Sequence, residues 1–257
     1  MNNSIRAALC IALIVCGTCA HSQPSGGDKK PGWSGTVGVG PFIFPRYNGG
    51  NALRVLPAPL LSVTYEDIAY VDLLRAGVYL LSSADKKMGL GFAVEPRFGF
   101  RPGYGPRLTG MTTRRDRLEG GPSFDWDNEV AAINLAYFGE LSGAGGGTSA
   151  RASLYKQFLK NERWDAGVLA GVDRISAKTV NYFFGVSATE AIATRPTYQP
   201  GGTINFNLGL SGTYNLDKRH ALIFGVNSTR LGGSAANSPI VETRQATIYY
   251  VGYGWNL

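Results

Sequence analysis

Cysteine is confined to the first twenty residues. Cys10, Cys16 and Cys19 are the only three in the 257-residue chain, so residues 21–257 hold neither a disulfide framework nor a thiolate metal site. Histidine is almost as scarce, with two residues. His21 lies in a polar stretch and His220 beside a tight turn, so neither is set to activate a nucleophile, and a lipid A-modifying or phospholipid-cleaving enzyme is disfavoured. No phosphate-binding loop of the Walker or dinucleotide type occurs, and no cofactor is expected. No apolar run beyond the N-terminus approaches the roughly 18–20 residues of a transmembrane helix. Any membrane insertion must therefore use strands.

What is present begins with an export signal. Residues 1–20 carry Arg6, an apolar run over 7–17, and small residues Thr18 and Ala20 before His21, the pattern of a cleaved secretory signal peptide. A lipoprotein with Cys19 acylated is the competing reading, and Thr18 and Cys16 suit it poorly. Residues 21–32 are a Pro/Gly/Ser linker, expected to be disordered and periplasmic. Residues 33–257 show no further composition break and form one domain. The formal charge of the whole chain is +7. Export argues against nucleic acid as the reason for that charge and for contact with anionic lipopolysaccharide or a wall polymer.

From residue 33 the chain alternates with period two, the signature of strands. In residues 88–101, Leu90, Phe92, Val94, Pro96, Phe98 and Phe100 oppose Gly89, Gly91, Ala93, Glu95, Arg97 and Gly99. In residues 203–216, Ile204, Phe206, Leu208 and Leu210 oppose Thr203, Asn205 and Asn207. Similar runs cover 33–44, 53–66, 68–82, 124–141, 148–159, 163–176, 221–231 and 244–257. Pro57 and Pro59 predict a break or bulge, because proline cannot donate to a ladder. The pattern slips near residues 72–75, which a bulge would explain.

These ten runs predict an all-β fold, a transmembrane antiparallel up-and-down β-barrel of 10–12 strands, with a soluble β-sandwich as the alternative. With both termini periplasmic, the short connections after the second, sixth and eighth runs fall on the periplasmic side. The Arg-rich segment 107–119 does not fit this scheme. It is either an unusual periplasmic loop or part of a region hiding two more strands. Trp33, Trp126, Trp164 and Trp255 fall near strand ends, where interface girdles belong. Asp125, Asp127 and Glu129 share one strand face. Such a group suits calcium or magnesium, but the simpler reading pairs them with the preceding arginines in a polar lumen, so no metal is expected.

At the C-terminus Tyr249, Val251, Tyr253, Trp255 and Leu257 form an apolar face that lipid would cover. Tyr250, Gly252, Trp255 and Leu257 resemble the signal by which outer-membrane barrels engage the barrel-assembly machinery. Three irregular stretches are more specific. Phe183-Phe184-Gly185-Val186, running on to Ala191, Tyr198 and Gly201-Gly202, resembles a hallmark of the MipA/OmpV family of outer-membrane proteins. Residues 54–59 (Arg-Val-Leu-Pro-Ala-Pro) and Ser238-Pro239-Ile240-Val241-Glu242 are similar to that family in the same order. The resemblance implies an outer-membrane scaffold that joins a lytic transglycosylase to a peptidoglycan synthase, while other relatives are porin-like, adhesive or antibiotic-binding. The Phe-Phe-Gly-Val stretch is expected to pack against the barrel mouth, because an exposed apolar cluster invites association. Candidate partner surfaces are residues 21–32, 160–162, 217–220 and 107–119. Scaffold and small channel both remain open on the sequence.

Overall fold

The computed structural model describes residues 32–143 and 146–257. The signal peptide reading and nearly all of the linker lie outside the described residues. Twelve antiparallel strands close into a barrel in which each strand pairs with its sequence neighbours and β1 pairs with β12. They are β1 Trp33–Pro45, β2 Leu53–Tyr65, β3 Ala69–Asp72, β4 Arg75–Ser82, β5 Met88–Arg97 and β6 Arg117–Asp127. There follow β7 Ala132–Glu140, β8 Thr148–Lys160, β9 Trp164–Ile175, β10 Thr203–Asn215, β11 His220–Arg230 and β12 Gln245–Asn256.

The alternation read from the sequence is the alternation of the wall. In β12 the odd residues from Tyr249 to Trp255 are exposed and the even ones are buried or nearly so. In β10 Ile204, Phe206 and Leu208 face out while Thr203, Asn205 and Asn207 face in. An exposed apolar exterior over a polar interior is the inverse of a soluble sandwich and suits lipid.

The two strands beyond the ten legible runs do not come from the Arg-rich segment alone. Residues 68–82 divide into β3 and β4 at a two-residue turn, Leu73 and Leu74. Residues 124–141 divide at 128–131, where the Asn128 side chain accepts the Val130 and Ala131 N–H groups at 2.8 and 3.1 Å. Only the last residues of the segment 107–119 enter β6.

The connections sort by end. At the end bearing Trp33 and the close of β12, all turns are short: 66–68, 83–87, 128–131, 161–163 and 216–219. At the other end lie 98–116, 176–202 and 231–244. Short periplasmic turns and long external loops are the rule in such barrels, so segment 107–119 is external. The placement of that segment on the periplasmic rim is thereby corrected: β3 and β4 form a hairpin that returns the chain to the periplasmic end, so that β5 runs outward and delivers the segment to the outer end. All four tryptophans sit at the short-turn end, each at least 36% exposed. Trp33 packs on Tyr65, Trp164 on Tyr214 and Trp255 on Tyr253, with ring centroids 5.3, 4.6 and 5.2 Å apart. They form an aromatic belt at the periplasmic interface.

Candidate functional site

A barrel of twelve strands is wider than the eight-stranded size that side chains can fill. Here ion pairs occupy the interior. Arg97 grips Glu119 through two bonds of 2.6 and 2.8 Å. Arg151 donates to Glu95 and to Asp173, each at 2.6 Å. Asn207 donates to Asp173 at 3.1 Å, and the Thr229 hydroxyl donates to Asn207 at 2.6 Å. Nearer the periplasm, Arg75 donates to Asn134, which donates to Asp125, each at 2.7 Å. These charges sit at the wet positions of their strands. Arg97 with Glu119, and Arg151 with Glu95 and Asp173, are paired and multiply bonded and so tolerated away from water, and this network crosses the lumen from β5 to β10.

Asp125, Asp127 and Glu129 do not assemble. Asp125 faces Asn134, whereas Asp127 and Glu129 are exposed at the turn. The expected pairing with the preceding arginines is also corrected, because Arg114 and Arg117 turn up into the outer cap. Among the described residues no group of His, Cys, Asp and Glu is arranged to hold a metal ion.

The outer mouth is closed by a cap. Helix α1, Ala177–Phe184, follows β9 and buries Thr179, Val180, Phe183 and Phe184. These residues roof a cavity of about 60 Å³ whose other walls include Glu95, Arg97, Arg151, Asp173, Asn205 and Asn207. That volume holds about two waters. Phe183, Phe184 and Val186 join Phe100, Leu108, Leu231, Ile240 and Val241 in one apolar cluster, with Ala191 packed at its edge. The motif residues that the sequence set apart thus share one core: Ser238 Oγ donates to the Phe184 carbonyl at 2.6 Å, and Arg107 donates to the Val241 and Pro239 carbonyls at 2.6 and 3.4 Å. Gly185 follows the helix and returns its N–H to Asn181.

Two buried charges, Glu190 and Arg195, lock the loops, and no local spacing pairs them with their partners. Arg114 binds Glu190 at 2.8 and 2.9 Å. Arg195 donates to the carbonyls of Arg107, Thr109 and Glu190 at 2.7, 2.9 and 2.6 Å. Burial pushes the Glu190 carboxyl up, but hydrogen bonds from Arg114 and from the Thr112 and Ser187 amides outweigh it and hold its pKa at about 2. Burial also raises the Tyr47 hydroxyl, aided by Glu242; it donates to the Ile240 carbonyl at 2.9 Å.

At the periplasmic rim the turns are stiff. Asp85, Asn128, Asn161 and Asp217 each accept backbone N–H groups two or three residues ahead, the short-range bonding that makes Asn and Asp turn residues. The His220 ring, 2.8 Å from Asp217, and the Arg219 amide hold the Asp217 carboxyl down at about 2. Exposed Lys86, Lys87, Lys160, Glu162, Arg163, Lys218 and Arg219 make this rim a ring of mixed charge. Among the described residues His220 has no serine, threonine or cysteine as a hydrogen-bond partner.

The sequence model of one family, described as "MltA-interacting protein MipA", matches residues 37–257. Two outer membrane proteins are similar over 193 residues, 69% of this chain and 75% of theirs. Omp26La of Vibrio anguillarum is 27% identical, and OmpV of Vibrio cholerae serotype O1 is 26% identical. Among solved structures, the translocator domain of the autotransporter NalP from Neisseria meningitidis matches over 90% of both chains at 10% identity and a TM-score of 0.42. A match over nearly the whole barrel, on a ring of strands with an apolar exterior, places the chain in the MipA family as an outer-membrane β-barrel protein.

Proposed function

We propose that this barrel is a closed anchor, not an enzyme, whose periplasmic turns dock a wall-remodelling enzyme of the lytic transglycosylase type, with a peptidoglycan synthase as a further member of the assembly. The observation that carries the reading is the obstructed lumen: ion pairs of Arg97, Arg151, Glu95, Glu119 and Asp173 stand across it, and α1 with its apolar cluster roofs the outer mouth. What the molecule offers the periplasm is a surface, and the short turns present it rigidly with charges of both signs. Rigid presentation lowers the ordering cost of association, and mixed charge favours specificity over bulk affinity. The family description, an MltA-interacting protein, is of the same kind. A small anion-selective pore is the second reading of the sequence, and the same obstruction speaks against it. The test is capture by the folded protein in detergent from solubilised envelope, with retained proteins identified by mass. A retained lytic transglycosylase, lost when turns 161–163 and 217–219 are replaced by Gly/Ser, supports the anchor. Retention of none, against a working positive control, contradicts it and makes single-channel conductance the next measurement.

A further inference from the structure

The barrel wall is incomplete where two strands stop short. β3 pairs with β2 only over residues 62–65 of the latter, and β4 pairs with β5 no higher than Val94. Above that level residues 53–61 of β2 and 95–97 of β5 flank a slot, in the outer half of the wall, with no strand between them. Leu73 and Leu74, both buried, close its foot, and the Leu73 N–H donates to the Leu61 carbonyl.

The margins are made for this vacancy. Successive residues of a strand direct their peptide groups to opposite sides, so the bond to Leu61 marks the odd positions of β2 as those facing the slot. The Met88 carbonyl, which accepts the Ser83 N–H on the β4 side, marks the even positions of β5 likewise. Pro57, Pro59 and Pro96 therefore stand with their nitrogens toward the slot. An unpaired N–H at hydrocarbon depth is costly, and these three residues have none. The outward side chains beside the slot, Leu53 and Val55, are 50% and 60% exposed and apolar, so the slot opens on bilayer hydrocarbon.

Behind its upper end is a cation that, among the described residues, no carboxylate contacts. The Arg54 guanidinium lies 4.1 Å from the Phe44 ring centroid, 5.5 Å from that of Tyr104 and 5.9 Å from that of Phe98, across the slot. It donates to the Tyr104 hydroxyl at 3.4 Å, and its buried Nε has no hydrogen-bond partner. Arg97, Arg114 and Arg151 each have a carboxylate within 2.8 Å, whereas among the described residues Arg54 has none within ion-pair distance. Asp116 accepts the Gly99 amide instead, at 2.8 Å.

We propose that the slot is a lateral binding site for an anionic lipid of the surrounding bilayer, with one acyl chain between β2 and β5 over Leu73 and Leu74 and the phosphate on Arg54. The chain covers edges that no strand covers, and the phosphate pairs an arginine that among the described residues no carboxylate contacts, at the lipid-facing slot itself. Charge-assisted bonds from a guanidinium to phosphate are among the stronger polar contacts.

The test is native mass spectrometry of the full mature protein in mild detergent, given phosphatidylglycerol and phosphatidylcholine with identical chains. The site predicts one tightly held phosphatidylglycerol, preferred by about tenfold or more. Arg54→Gln abolishes the preference, Arg54→Lys retains part of it, and Arg174→Gln, at an exposed arginine near the same rim, leaves it intact. A phosphatidylglycerol carrying a photoreactive chain labels residues 56–61, 73–74 and 96. Equal binding of the two lipids, equal loss in the Arg174 variant, labelling spread around the exterior, or a dimer that excludes the lipid would each overturn the proposal.

Discussion

Arg151 bridges Glu95 on β5 and Asp173 on β9, and its loss would leave two carboxylates buried without their cation. Breaking such a pair from one side typically costs about 3–5 kcal/mol. Arg151→Ala should lower the unfolding free energy, measured by urea denaturation in detergent, by about that amount, with Arg151→Lys intermediate because a lysine cannot span both acids with a planar fork. Glu190 makes a prediction in pH. Its pKa is held at about 2, below the 4.5 of an unperturbed glutamate, so the stabilisation is complete above pH 4.5 and lost as pH falls toward 2. Hydrogen exchange of residues 107–114 and 185–199 should quicken across that window, and Glu190→Gln should make them exchange quickly already at pH 6. Partners of this kind were not legible beforehand: Arg114 and Glu190 are 76 residues apart, and nothing local in either stretch calls for the other.

At the scale of the element, the strands were the legible part, because a wall between lipid and a polar lumen imposes a strict period of two. The turns were less so. Residues 68–82 read as one run because the Leu73-Leu74 turn is apolar and carries no Gly or Asn signal. The cap motif was visible as an apolar cluster out of period, but not that α1 would carry it over the lumen. Phe183 and Phe184 are both buried there. Replacing both by Ser should release the cap, seen as new protease cleavage within residues 176–202, while unheated wild type and variant run alike on gels because the strands stay paired. The wall predicts the opposite asymmetry for charge. Leu208→Arg, at a position 66% exposed, should cost about 2–4 kcal/mol if it sits at the bilayer midplane, whereas Asn205→Ser in the lumen should cost far less.

For the whole molecule, the belt of tryptophans, the stiff turns and the capped lumen assign different work to the two ends. The outer end spends its long loops on closing the barrel, and the inner end leaves short charged turns to the periplasm. The anchor proposed above would use the inner end as its docking surface and the outer end as its seal. The most direct measurement is the binding of a purified lytic transglycosylase to the barrel reconstituted in nanodiscs, compared with a variant whose turns 161–163 and 217–219 are Gly/Ser. Saturable binding to the wild type, weakened by low-affinity rim charge loss in the turn variant and unchanged in the Phe183/Phe184 cap variant, is the result predicted. Absence of binding, or binding that survives the turn changes and is lost with the cap, would contradict the account.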